Sequence, residues 1–147
     1  MSATEEDRSL KLLLDTHAFL WMVDEHPRLG AETAKALNRA AKEDRIAVSA
    51  ITPWEIALLV SKKRIDVHRD VMAWMHDALS MPGVTLIPLE PEIAVACTRL
   101  PFEMHPDPAD RILVATARHL GATLVTADQA LLALAKNGHF RALNAEK

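Results

Sequence analysis

Two kinds of apolar pattern alternate along the chain. Short continuous blocks, Leu10-Lys11-Leu12-Leu13-Leu14, Ile46-Ala47-Val48-Ser49, Val84 to Ile87 and Thr123-Leu124-Val125-Thr126, predict strands buried in a sheet. Between them, apolar positions recur at helical spacing, as in Ala34, Leu37 and Ala41. These stretches predict helices over residues 18–23, 31–43, 52–64, 69–79, 91–99, 108–121 and 128–136. After the Asn137-Gly138 turn, His139 to Leu143 reads as an edge strand. Strands alternating with helices imply an α/β fold, a mainly parallel central sheet of about four or five strands flanked by helices on both faces. It is expected to fill residues 10–147 as a single domain, after a flexible polar tail over residues 1–9.

In such a sheet ligands bind outside the carboxyl ends of the strands, and the acidic residues gather at that edge. Asp15 follows the first strand and Asp128 the fourth, while Glu55 falls early in the helix after the second. The segment His105-Pro106-Asp107-Pro108-Ala109-Asp110-Arg111 opens the 108–121 helix. Each acid also has an ordinary structural role. Asp107 would cap a helix whose first residue is Pro108, with Asp110 completing a capping box. Thr52 and Glu55, around Pro53, form the same pattern. Thr126 and Gln129 form another, leaving Asp128 only favourable to the helix dipole, and Asp15 suits a turn. Taken together the acids mean more, because packed carboxylates repel and take up protons unless a cation neutralises them. Oxygen ligands without a dedicated Cys or His set select Mg²⁺ or Mn²⁺ over zinc. Such ions assist hydrolysis at a phosphodiester.

Composition narrows the classes further. A chain of 147 residues, half of them hydrophobic, suits one domain with a proper core. No apolar run approaches the roughly 20 residues of a membrane span, and no basic-then-apolar signal segment opens the chain. The net charge of −3 argues against a module that grips nucleic acid by charge alone. A nuclease stays open, since bound divalent ions reverse the local sign of an acidic cleft. The single cysteine, Cys97, excludes an internal disulfide, and its apolar neighbours predict a buried thiol, in keeping with a cytoplasmic location.

Four stretches carry a family likeness: Leu12-Leu13-Leu14-Asp15-Thr16-His17, Ser49 through Trp54-Glu55-Ile56-Ala57, Asp107 through Ala117, and Thr126-Ala127-Asp128. In this order they resemble the PIN-domain ribonucleases, and most of all the VapC-type toxins of prokaryotic toxin–antitoxin pairs. The resemblance runs over about residues 10–143. It implies a PIN fold, endoribonuclease activity that depends on Mg²⁺ or Mn²⁺, an RNA substrate, a cognate antitoxin and a homodimer. It maps the family's acidic positions onto Asp15, Glu55, Asp110 and Asp128, with Asp107 as an auxiliary carboxylate and Thr126 as the hydroxyl beside the last acid. These acids would hold the metal directly or through water, and a metal-activated water would attack the phosphorus in line. Ala109 departs from the pattern, since many relatives carry a large apolar residue there.

Other residues fit two roles each. His17 and His105 stand beside the acids, as phosphate or water contacts or as plain loop histidines. Arg111 suits either an RNA contact or an ion pair that orients a carboxylate. Lys62-Lys63-Arg64 suits a helix C-terminus better than an RNA guide. Trp21, Met22, Trp54, Met72, Trp74 and Met75 belong mostly to the core, with some left to face a partner. The family likeness makes an antitoxin segment, lying in a groove between the early helices, the natural partner. Two competitors remain: a non-catalytic partner-binding module on the same fold, which the intact acidic set disfavours, and another metal-dependent phosphohydrolase. The second lacks the expected Asp-x-Asp after the first strand and a Gly-rich phosphate loop.

Overall fold

The structure, a computed structural model, describes residues 9–147. The acidic part of the expected tail therefore lies outside the described residues. Strands β1 (Leu12–Leu14), β2 (Ile46–Ser49), β3 (Val84–Ile87), β4 (Thr123–Thr126) and β5 (Arg141–Asn144) form one sheet in the order β3-β2-β1-β4-β5. Every pairing is parallel, with Leu13 opposite both Ala47 and Leu124. The helices are α1 (Thr16–Asp24), α2 (Ala31–Lys42), α3 (Ile51–Ser61), α4 (Val71–Leu79), α5 (Pro91–Ala96), α6 (Pro108–Leu120) and α7 (Gln129–Lys136).

The alternation of side chains across β1 divides the core into two halves. Leu12 and Leu14 pack with Phe19, Trp21, Trp74 and Met75 on one face. Leu13 packs with Ile93, Leu113, Val114 and Leu131 on the other. Both faces are covered, which is why β1 reads as uninterrupted leucine. Leu13 and Leu14 are fully buried, so truncating either to alanine should cost roughly 2–5 kcal/mol. The edge is set at Gly83, whose φ of +83° and 2.1 Å approach of a would-be Cβ to the Ala41 carbonyl oxygen exclude a side chain there.

Several local expectations need correction. The first strand starts at Leu12 rather than Leu10, and α5 stops at Ala96 rather than Arg99. There Thr98 Oγ1 donates back to the Val95 carbonyl, and Pro101 follows closely. Thr52 is not a cap. The helix has already begun at Ile51, whose N–H donates to Ser49 Oγ, and Thr52 is buried with no partner for its hydroxyl among the described residues. The Cys97 thiol is only half-buried and donates to the Ala94 carbonyl. Trp54 and Met72 are exposed, whereas Trp21, Trp74 and Met75 lie in the core.

The chain proceeds outward from β1 through β2 to β3, then returns to the other side of β1 as β4 and β5. The strand order therefore reverses between β1 and β4. A crevice at such a reversal is where open parallel sheets place their ligands. Asp15 ends β1 and Asp128 lies two residues beyond β4, so both acids stand at this point.

Candidate active site

Helix starts supply most of the acids. Asp15 caps α1, its Oδ1 accepting from the Ala18 N–H at 2.8 Å. Asp107 caps α6 by accepting from the Asp110 N–H at 3.1 Å, with Pro108 in the first turn, as its sequence pattern predicts. Asp128 caps α7 by accepting from the Leu131 N–H at 3.0 Å. Here the sequence expectation was wrong, because Thr126 is not the cap. Its Oγ1 accepts from the Asp128 N–H at 3.0 Å and donates to Asp15 Oδ2 at 2.5 Å. One hydroxyl thus ties the ends of β1 and β4 together. Glu55 takes no part in a capping box with Thr52; its carboxylate accepts from the Thr16 hydroxyl instead.

Asp15, Glu55, Asp107, Asp110 and Asp128 line one open cleft of about 400 Å³, joined by Thr16, His17, Trp21 and Arg28. The crowding shows in their acidities. Burial pushes Asp15 above the ordinary carboxylate range, opposed by the Thr126 and Ala18 hydrogen bonds and by His17. Asp110 is pushed up to about 7, first by burial and then by Asp107, with Asp128 and Glu55 adding to it and His105 opposing. His105 Nε2 lies 3.4 Å from Asp110 Oδ2. His105, Asp110 and Asp128 each offer a ligand atom within 4.8 Å of the other two.

Comparison with known proteins bears directly on this cleft. Residues 12–137 match the PIN domain family. Over 120 residues the chain is 34% identical to Ribonuclease VapC22 of Mycobacterium tuberculosis, covering 82% of this chain and 88% of that protein. The chain belongs to the PIN domain family. Solved structures repeat the PIN architecture. VapBC2 from Rickettsia felis, bound to a DNA fragment from its promoter, superposes with a TM-score of 0.67 at 19% identity, covering 92% of this chain and 98% of that one. FitAcB from Neisseria gonorrhoeae gives 0.62 at 22% identity, covering 91% and 97%.

All five sequence-predicted carboxylates of this PIN domain therefore converge, but unevenly. Asp110 and Asp128 approach closely with His105, while Asp15 and Glu55 line the same cleft outside that tight group. Hard oxygen donors that repel one another, one of them driven to hold its proton near neutrality, suit a divalent cation. The donor set fits the metal that PIN nucleases use. Among the described residues Arg111 forms no ion pair with a carboxylate. Its Nε donates to the Cys97 carbonyl at 2.9 Å and its Nη1 to the Met104 carbonyl at 3.4 Å, so it anchors the loop before α6. Lys62, Lys63 and Arg64 follow α3, exposed, and none lines the cleft. Ala109 is buried and does not line the cleft.

Two polar cleft residues were not among the sequence-predicted site residues. Thr16 is one, although it directly follows Asp15 and the hydroxyl was in view. Arg28 is the other, in the Pro27-Arg28-Leu29-Gly30 loop, where no spacing signals a site.

Proposed function

We propose that this chain is a metal-dependent endoribonuclease, the toxin of a VapC-type toxin–antitoxin pair. The observation that carries the reading is the convergence of Asp15, Glu55, Asp107, Asp110 and Asp128 on one cleft at the β1/β4 reversal, in a chain 34% identical to a ribonuclease. Asp15, Glu55, Asp110 and Asp128 would hold Mg²⁺ or Mn²⁺, with Asp107 as an auxiliary carboxylate in the same cleft and His105 close to Asp110 and Asp128. The bound cation supplies Lewis acidity that activates water and offsets charge at the scissile phosphate. The protein's own part is placement. Thr126 fixes the rotamer of Asp15, Thr16 fixes Glu55, and the Asp107 cap holds the first turn of α6 so that Asp110 faces the cleft. Arg111 keeps the loop carrying His105 against α5 and α6.

The partners follow from the same reading: an RNA substrate, a cognate antitoxin and a second copy of the chain, in the cytoplasm. Among the described residues no helix is long and apolar enough to cross a membrane. A groove of about 460 Å³, lined by Met22, Leu29, Leu37, Ala41 and Met81, has the apolar character an antitoxin segment needs. Trp54 and Met72, both more than half exposed, suit a protein surface better than water.

The test is cleavage of a cellular RNA pool by purified protein with Mg²⁺, with Mn²⁺ and with EDTA, beside Asp110→Asn. Discrete cuts that need metal and vanish in the variant are expected. Cuts that survive EDTA and the substitution would overturn the reading. A folded protein that binds its antitoxin but cuts nothing would favour the binding-module alternative.

A further inference from the structure

The cleft meets a difficulty that its carboxylates cannot resolve. RNA carries a negative charge at every nucleotide, and a cation held among the acids offsets that charge only at the reacting phosphate. Among the described residues lining the cleft, Arg28 is the only lysine or arginine. It is held there with some care. Its guanidinium carbon lies 4.8 Å above the centre of the buried Trp21 ring. His26 stacks on that same indole at 5.8 Å, and His17 meets its edge at 6.5 Å. The Arg28 backbone N–H donates to His26 Nδ1 at 3.1 Å. Arg28 Nη2 reaches Glu146 Oε2 at 3.2 Å, while the side chain stays 60% exposed.

The loop beneath is equally tied down. The His26 N–H donates to the Trp21 carbonyl and the Gly30 N–H to the Ala145 carbonyl, each at 2.9 Å. A Cβ on Gly30 would lie 2.0 Å from the carbonyl carbon of Lys147, so residues 145–147 fit this loop only because position 30 is glycine. A guanidinium has five donors, and the Glu146 contact takes one. A preorganised, exposed fork at the mouth of an acidic cleft loses little side-chain freedom when it grips a phosphate.

Resting on the endoribonuclease reading, we propose that Arg28 is a substrate-positioning residue. It grips an RNA phosphate next to the scissile one, with Trp21 as its platform and Glu146 as the carboxylate the phosphate displaces.

The experiment is fluorescence anisotropy with a short fluorescein-labelled single-stranded RNA, in Mg²⁺, on the full chain carrying Asp110→Asn so that the probe is not cut. Adding Arg28→Ala should weaken binding roughly tenfold and flatten the salt dependence by about 0.7 in log–log slope, the share of one phosphate on a single strand. Arg28→Lys should recover part of the affinity, and it stands in if the alanine variant does not fold. Glu146→Gln should tighten binding, because the competing carboxylate is gone. Calorimetric Mn²⁺ affinity, measured without the Asp110 change, should be the same with and without Arg28→Ala. RNA affinity and salt slope unchanged by Arg28→Ala would overturn the inference, and so would an equal loss of Mn²⁺ affinity, which would make Arg28 part of the carboxylate framework. If the unsubstituted protein cuts RNA and Arg28→Ala cuts it with the same KM, the inference falls and the nuclease reading stands. A parent that neither binds nor cuts RNA overturns both.

Discussion

Asp15 and Asp110 are the same residue type lining one cleft, yet their surroundings hold them by opposite means. Asp15 is buried and fully engaged, with one oxygen on the Ala18 N–H and the other on the Thr126 hydroxyl. Asp110 keeps about a quarter of its side chain exposed and faces Asp107, Asp128 and Glu55, with only His105 in opposition. One acid is fixed by two hydrogen bonds to uncharged donors. The other is pushed towards its protonated form first by burial and then by the charge of Asp107, and a bound cation would offset both. On the proposed metal-dependent reading, the β1–β4 side would serve as the fixed template and the α6 side as the part of the cleft that responds to metal.

The largest effect should come from removing either acid. Asp15→Asn and Asp110→Asn are each expected to lower RNA cleavage by more than about a hundredfold, beyond what losing a supporting contact usually costs. Their stabilities should diverge, and that sharpens the comparison. In the metal-free protein at alkaline pH, Asp110→Asn removes repulsion and should raise Tm, whereas Asp15→Asn disturbs a paired buried group and should not. Thermal melts of the two variants side by side check this.

Thr126→Val comes next. It keeps the shape and removes the hydroxyl that links Asp15 to the Asp128 N–H. Metal affinity, read by calorimetry, should fall about ten- to a hundredfold. Stability should drop by about 1–3 kcal/mol, because a buried carboxylate oxygen loses its donor.

A smaller effect concerns pH. Asp110 titrates from 3.8 in the unfolded chain to about 7 in the fold, and Asp15 shifts in the same direction. The folded, metal-free protein therefore binds more protons than the unfolded chain in that window. Its stability contribution is present at low pH and is lost as pH rises toward 7, by about 1–3 kcal/mol after allowing for partial exposure and relaxation. Urea unfolding across this range should show the decline in the wild type and much less of it in Asp110→Asn.

The smallest effect belongs to the other buried threonine. Among the described residues Thr52 has no partner for its hydroxyl where Thr126 has two. Thr52→Val should be neutral or stabilising by up to about 1 kcal/mol, with cleavage unchanged. A clear loss of activity would mean that this hydroxyl holds a group near Glu55.

How much the sequence disclosed follows the range of the interactions. The spans of β2, β3 and β4 were readable residue for residue, because each is a short, mostly apolar run bounded by polar or turn residues, although β3 turns out to bury only Ile87 fully. The Asp107-Pro108 start of α6 was readable because the cap and its target lie three residues apart. The threonines were misassigned for the opposite reason. Thr52 sits in a good local cap pattern, but β2 delivers the chain into the helix two residues earlier, at Ile51, whose N–H is taken by Ser49 Oγ. Thr126 fits a capping box on paper, yet its hydroxyl is drawn to Asp15, 111 positions away in the chain. Thr16 to Glu55 spans 39 positions and Arg28 to Glu146 spans 118, so neither link leaves a local pattern to read. Asp15 and Asp128 were found because strand ends in a parallel sheet converge whatever the loops do, whereas Glu55, Asp107 and Asp110 stand away from strand ends and were found through their motifs.

The most direct test of the central claim, that the α6 side of this cleft is held in tension until a divalent cation enters, is the Mn²⁺-induced shift in Tm at pH 8 and at pH 5.5. The account predicts a clear rise at pH 8, a much smaller one at pH 5.5, where protons already occupy the acids, and little rise at either pH in Asp110→Asn. No Mn²⁺-dependent rise at pH 8 in the unsubstituted protein, or an equal rise in Asp110→Asn, would contradict it.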